Sequence, residues 1–159
     1  MSKKLIIIIV AVVVVIATII GILLIAGNGE KNIEGTLEDI MTKLYANIGE
    51  ENLPMGLSNM EINSENVESF IGTANVKYTE ALANESMVGS IAHSVVLVRL
   101  DDSQDPTAAV EEIKNNVNPR KWICVEASNV VVKNKGNLVV LIMSNEQIAP
   151  KLEANFDNL

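Results

Sequence analysis

The chain has 159 residues, with 12 basic and 20 acidic side chains, a net charge of −8, one cysteine and only 3% aromatic residues. That balance excludes a protein that tracks nucleic-acid phosphates, and a single cysteine excludes an internal disulfide framework. With so few rings, the core has to be aliphatic.

Leu5 to Ala26 carries no charged residue, and Thr18 is its only strong hydrogen-bonding side chain. As a helix this run would extend roughly 33 Å, enough for a hydrocarbon layer of about 30 Å. A cleavable signal has a shorter apolar stretch and then a small-x-small site, which Leu24 and Ala26 do not form. Residues 5–26 are therefore read as a single-pass transmembrane signal anchor, with residues 1–4 cytoplasmic. Lys3 and Lys4 fix that orientation, because basic flanks stay inside. The C-terminal part is expected outside the cell membrane. From Gly27 onward ten basic and twenty acidic side chains leave a net −10, which disfavours anionic lipid head groups as well as nucleic acid. Ala17 and Gly21 form a small-x-x-x-small pair of the kind that lets two such helices approach.

Residues 27–35 read as a glycine-containing tether and 36–159 as one extracytoplasmic domain. Thr36 opens a helix with a near capping box to Asp39; Leu37, Ile40, Met41, Leu44 and Ile48 share one face, and Gly49 ends it. Glu51 to Ile62 reads as loop or extended chain. Asn63 or Ser64 caps a short helix carrying Val67, Phe70 and Ile71, with Gly72 as its stop. Alternation of Val76, Tyr78, Glu80 and Leu82 marks a strand, and Ser90 to Leu100 marks a stronger one that includes His93. Asp105 and Pro106 start a helix with Ala109, Val110, Ile113 and Val117 inward, stopped at Asn118-Pro119.

Lys121 to Ala127 reads as a strand. Asn129 to Met143 reads as a hairpin turning at Gly136. Ser144 to Gln147 fits a capping box for a last helix burying Ile148, Leu152 and Phe156, which Pro150 should kink or restart. The expected fold is α+β: a transmembrane helix, then a two-layer domain of mostly antiparallel sheet with helices packed on one face. Leu138 to Met143 is apolar at every position, so that strand is either covered on both faces or meets a partner.

No phosphate loop, dinucleotide fingerprint, nucleophile elbow or zincin motif occurs, and no His or Cys stands at metal-ligand spacing, so neither cofactor nor metal is expected. Asp101 to Asp105 is acidic but lacks the turn glycine of a calcium loop, and Asp105 is better read as a helix cap. His93 is the only histidine, Cys124 the only cysteine, and Arg120 stands close to Trp122, the only tryptophan. A guanidinium over that indole is a ligand-holding arrangement. His93, Arg120 and Trp122 are thus the candidate ligand-binding residues.

Three stretches, "GSIAHSVVLVRL", "NVNPRKWICV" and "NKGNLVVLIM", resemble an uncharacterised family of small membrane-tethered extracytoplasmic domains, a domain of unknown function, from Gram-positive anaerobic bacteria. That resemblance covers most of Glu38 to Phe156 and implies location and domain class only. Many members of that family carry a lipid-attachment cysteine; here the apolar run takes its place. The expected function is a non-enzymatic domain, anchored through residues 5–26, that binds a protein or cell-envelope component. The alternatives are a small-ligand binder or enzyme using His93, Arg120 and Trp122, and an accessory subunit of a membrane complex.

Overall fold

The structure, a computed structural model, describes residues 32–159. The expected membrane span and the first part of the tether lie outside the described residues. Among the described residues, no helix is long and apolar enough to cross a membrane. Asn32 to Leu159 forms one compact unit.

Its elements follow in the order α1 (Leu37–Leu44), a 3₁₀ turn (Glu50–Asn52), β1 (Leu57–Glu61), α2 (Val67–Ile71), β2 (Tyr78–Ser86), β3 (Ser94–Leu100), α3 (Pro106–Asn116), β4 (Asn129–Lys135), β5 (Leu138–Ser144) and α4 (Ala149–Asp157). The five strands make one sheet in the order β1-β2-β3-β5-β4, with every neighbouring pair antiparallel. The α+β class is as expected; the two-layer arrangement is not. Helices cover both faces. One face packs Leu82, Val95, Leu97, Leu138, Val140 and Ile142 under α1 and α4. The other packs Ala83, Val96, Val98, Val139, Leu141 and Met143 under α2 and α3. Strand parity is the cause. β3 and β5 are apolar at odd and even positions alike, so a single layer of helices would leave one row of aliphatic side chains in water. All seven residues of β5 are buried.

Local signals set most boundaries. Thr36 Oγ1 accepts from Asp39 N at 3.1 Å and Asp105 Oδ1 accepts from Ala108 N at 2.7 Å, capping α1 and α3 as read. Gly72 ends α2 at φ 81°, a conformation open to glycine without a side-chain penalty. α1 stops at Leu44 rather than at Gly49, with Asn47 in the left-handed region at φ 61°. Ser144 does not cap α4. It belongs to β5, and Asn145 Oδ1 accepts from Gln147 N and Ile148 N instead, at 3.0 and 2.9 Å. Pro150 lies in the first turn of α4, where its missing N–H has no intrahelical partner to lose.

Two strand assignments change. β1 lies inside the stretch read as loop or extended chain, and Lys121 to Ala127 is irregular rather than extended into the sheet. In β2 a register shift between Tyr78 and Glu80 breaks the simple alternation. Tyr78 consequently packs with the α2/α3 core while Leu82 packs with the α1/α4 core.

Ile33 to Gly35, read as tether, is held against the sheet. The Arg99 guanidinium donates from Nη1 to Ile33 O and from Nη2 to Gly35 O, both at 2.7 Å, and from Nε to Glu80 Oε1 at 2.5 Å. Asn32 Oδ1 accepts from Asn137 N at 3.1 Å, so the chain enters the domain beside the β4–β5 turn.

Candidate functional site

His93 immediately precedes β3, and strand alternation carries its ring to the α1/α4 face with Val95 and Leu97. It is fully buried. Nδ1 lies 2.8 Å from Ser144 Oγ and Nε2 lies 2.7 Å from Tyr45 Oη. Tyr45 Oη donates to Asn84 Oδ1 at 2.9 Å, and Asn84 Nδ2 donates to Asn59 Oδ1 at 2.6 Å. Because Tyr45 spends its one proton on Asn84, it accepts from His93 Nε2–H. Nδ1 then accepts from the Ser144 hydroxyl, and every ring nitrogen is satisfied.

Burial pushes the His93 pKa down to about 4, so the ring is neutral at physiological pH, and the same desolvation raises that of Tyr45. The Ser144–His93 contact has the length of a nucleophile–base pair, but both residues are fully buried. The end of the chain that reaches the surface is Asn84 and Asn59. With Tyr45 they line a shallow depression of about 520 Å³, whose other walls include Ile48, Glu50 and Leu53.

Arg120 and Trp122 belong to the irregular segment on the far side of the sheet. Trp122 packs on the α2/α3 core, while Arg120 Nε pairs with Glu126 Oε2 at 3.1 Å on the open surface. The cation held over aromatic rings is Lys121. Its Nζ stands 4.9 Å from the Phe70 centroid and 5.5 Å from that of Trp122, and it pairs with the carboxylate of Glu85. Arg120 and Trp122 share the walls of a depression of about 430 Å³ with Cys124, Val125 and Glu126. His93 lies on the opposite sheet face, so the three candidates do not surround one cleft. Among the described residues no cluster of His, Cys, Asp and Glu suits a metal ion.

A different feature stands out at the surface. Met55, Met87 and Ile123 are 75%, 67% and 74% exposed, and Val88 is 39% exposed. They come from three loops stitched together at one end of the sheet. Met87 N donates to Gly56 O at 2.9 Å, Ser86 Oγ donates to Met55 O at 2.8 Å, and Ile123 N donates to Gly89 O at 3.2 Å. A methyl group placed on Gly56 would touch Val88 Cγ2 at 3.5 Å, and one on Gly89 would touch Ile123 Cδ1 at 3.7 Å. The four exposed residues therefore lie close together where β1 begins, β2 ends and β3 begins, as an apolar loop-end patch. Asn32 enters at the other end, a strand length of about 23 Å away. Sequence reading passes over this patch because its members are scattered, and only the fold gathers them. No family model matches the chain, and neither a curated protein nor a solved structure does.

Proposed function

We propose that the chain is a membrane-anchored, non-enzymatic docking domain that stands outside the cell and binds a protein of the envelope through its loop-end patch. One observation carries this reading: four large apolar side chains exposed together at the end of the sheet opposite the chain's entry. Single exposed apolar residues are ordinary on soluble proteins, whereas a contiguous group marks a contact surface. Methionine suits such a surface, since its flexible thioether adapts to a partner's shape. The apolar run Leu5–Ala26 supports the anchor, and Lys3 and Lys4 support the orientation.

Photo-crosslinking residues introduced at Met87 and Ile123 in the full-length protein test the reading, with Ser103, at the opposite end, as control. The expected result is discrete adducts from positions 87 and 123 in the membrane fraction and none from 103. Equal labelling at all three positions, or recovery of the chain as a soluble protein after carbonate extraction, would overturn it.

A further inference from the structure

We infer that the partner is held by strand addition to β1, as an extended segment that carries apolar and basic residues on its one face toward α1; this rests on the docking reading and specifies its mode. β1 is one edge of the sheet. The hydrogen bonds that bracket it, Met87 N to Gly56 O at 2.9 Å and Ile62 N to Ala81 O at 3.0 Å, fix the parity of the ladder. Residues 56, 58, 60 and 62 turn their backbone groups toward β2. Leu57, Asn59 and Glu61 stand in the alternate pairs, opposite Ser86, Asn84 and Leu82, and turn theirs outward.

Asn66 Nδ2 takes the carbonyl of Glu61 at 3.1 Å. The N–H and C=O groups of Leu57 and Asn59, and the N–H of Glu61, have no partner among the described residues. An added strand would complete this ladder. The opposite edge is defended. β4 carries Lys133 and Lys135, which reach across to Glu153, Asp157 and the last carbonyls of the chain. β1 has no lysine, arginine or proline.

Side-chain recognition follows from the surroundings. On the α1/α4 side the incoming strand meets the depression lined by Ile48 and Leu53, and exposed Met55 follows two residues after Leu53. Glu50, Glu51 and Glu61 are exposed along the same edge and enter no ion pair among the described residues. Strand alternation presents every second residue to one face, and Glu61, opposite Leu82, shares the α1/α4 side with that depression, so apolar residues for its walls and basic residues for the carboxylates fit the alternate positions of one extended segment that face that side.

The test uses residues 32–159, which carry both cores, and a phage-displayed library of random twelve-residue peptides. Selected peptides are expected to carry apolar and basic residues together at every second position and to protect the amides of Leu57 and Asn59 from hydrogen exchange. Asn59→Pro deletes an outward N–H without touching the ladder to β2, and it should weaken binding at least tenfold. Ser103→Ala, at the opposite end of the sheet, should leave binding within about twofold. Hydrogen exchange on the unmodified domain decides the matter if the proline variant fails to fold. Peptides lost on Met87→Asp and Ile123→Asp but indifferent to Asn59→Pro, without protection at residues 57 and 59, would overturn strand addition and leave docking intact. A library without binders, or binders indifferent to all these changes, would overturn both. A β1-to-β1 dimer dissociated by Asn59→Pro would assign the edge to a second copy and overturn the partner proposed here.

Discussion

Lowering the pH from 7 to 5 should destabilise the domain through His93. Its pKa is held at about 4 in the folded state, against an ordinary 6.5, because burial excludes the charged ring. The unfolded chain therefore binds the proton more readily. The stabilisation is complete above pH 6.5, declines as pH falls toward 4, and levels off below. Linkage puts the full loss at about 3 kcal/mol, of which about 2 kcal/mol is gone by pH 5. His93→Gln keeps a polar group near Tyr45 but removes the titration. Urea unfolding of residues 32–159 at pH 7, 6 and 5 measures the effect as the difference between native chain and variant, which cancels the carboxylates. Since His93 is the only histidine, a single imidazole signal in an NMR titration gives its pKa directly. A value near 6.5, or equal pH slopes for native and variant, would refute the account of the buried network.

Other substitutions probe separate parts of the fold. Gly72→Ala places a methyl 2.1 Å from Asn116 O at φ 81°, so it should cost about 3 kcal/mol or more in chemical denaturation, since both the left-handed backbone and α3 oppose it. Ser94→Ala removes a buried hydroxyl that has no partner among the described residues and should leave stability unchanged or raise it by about 1 kcal/mol in the same assay. Leu141→Ala should cost about 2–5 kcal/mol, as Leu141 is fully buried in the α2/α3 core. Arg99→Ala frees the carbonyls of Ile33 and Gly35, and limited proteolysis should then cut before Thr36 at least several-fold faster while the rest of the domain resists.

Much of this fold is legible in the chain because local chemistry writes it. Thr36, Asp105 and Gly72 mark helix ends through hydrogen bonds and backbone conformations that depend on a few neighbours. Leu138 to Met143, apolar throughout, announces a strand covered on both faces, although the two-layer expectation did not carry that through to a second layer of helices. Longer-range effects are silent in sequence. β1 has only Leu57 and Met60 as apolar residues and becomes a strand because β2 offers it a ladder. The segment Lys121 to Ala127 has strand-forming residues, yet Lys121 is committed to Glu85 and Phe70, and Cys124 takes φ 61°, so no ladder forms. His93, Arg120 and Trp122 look alike as rare polar or aromatic residues. Strand parity sends the first to one face and leaves the others on the far side. The loop-end patch had no signature at all, because Met55, Met87 and Ile123 meet only through three loops.

The grip of Arg99 on Ile33 and Gly35 has a mechanical meaning. β3 is the middle strand of five, so tension applied through residues 33–35 would be delivered to the centre of the sheet rather than to a margin. A pull on an outer strand would peel hydrogen bonds one by one, whereas this attachment spreads the load over ladders on both sides. A load applied at the opposite end of β3 would then meet its counterforce along a strand paired on both sides.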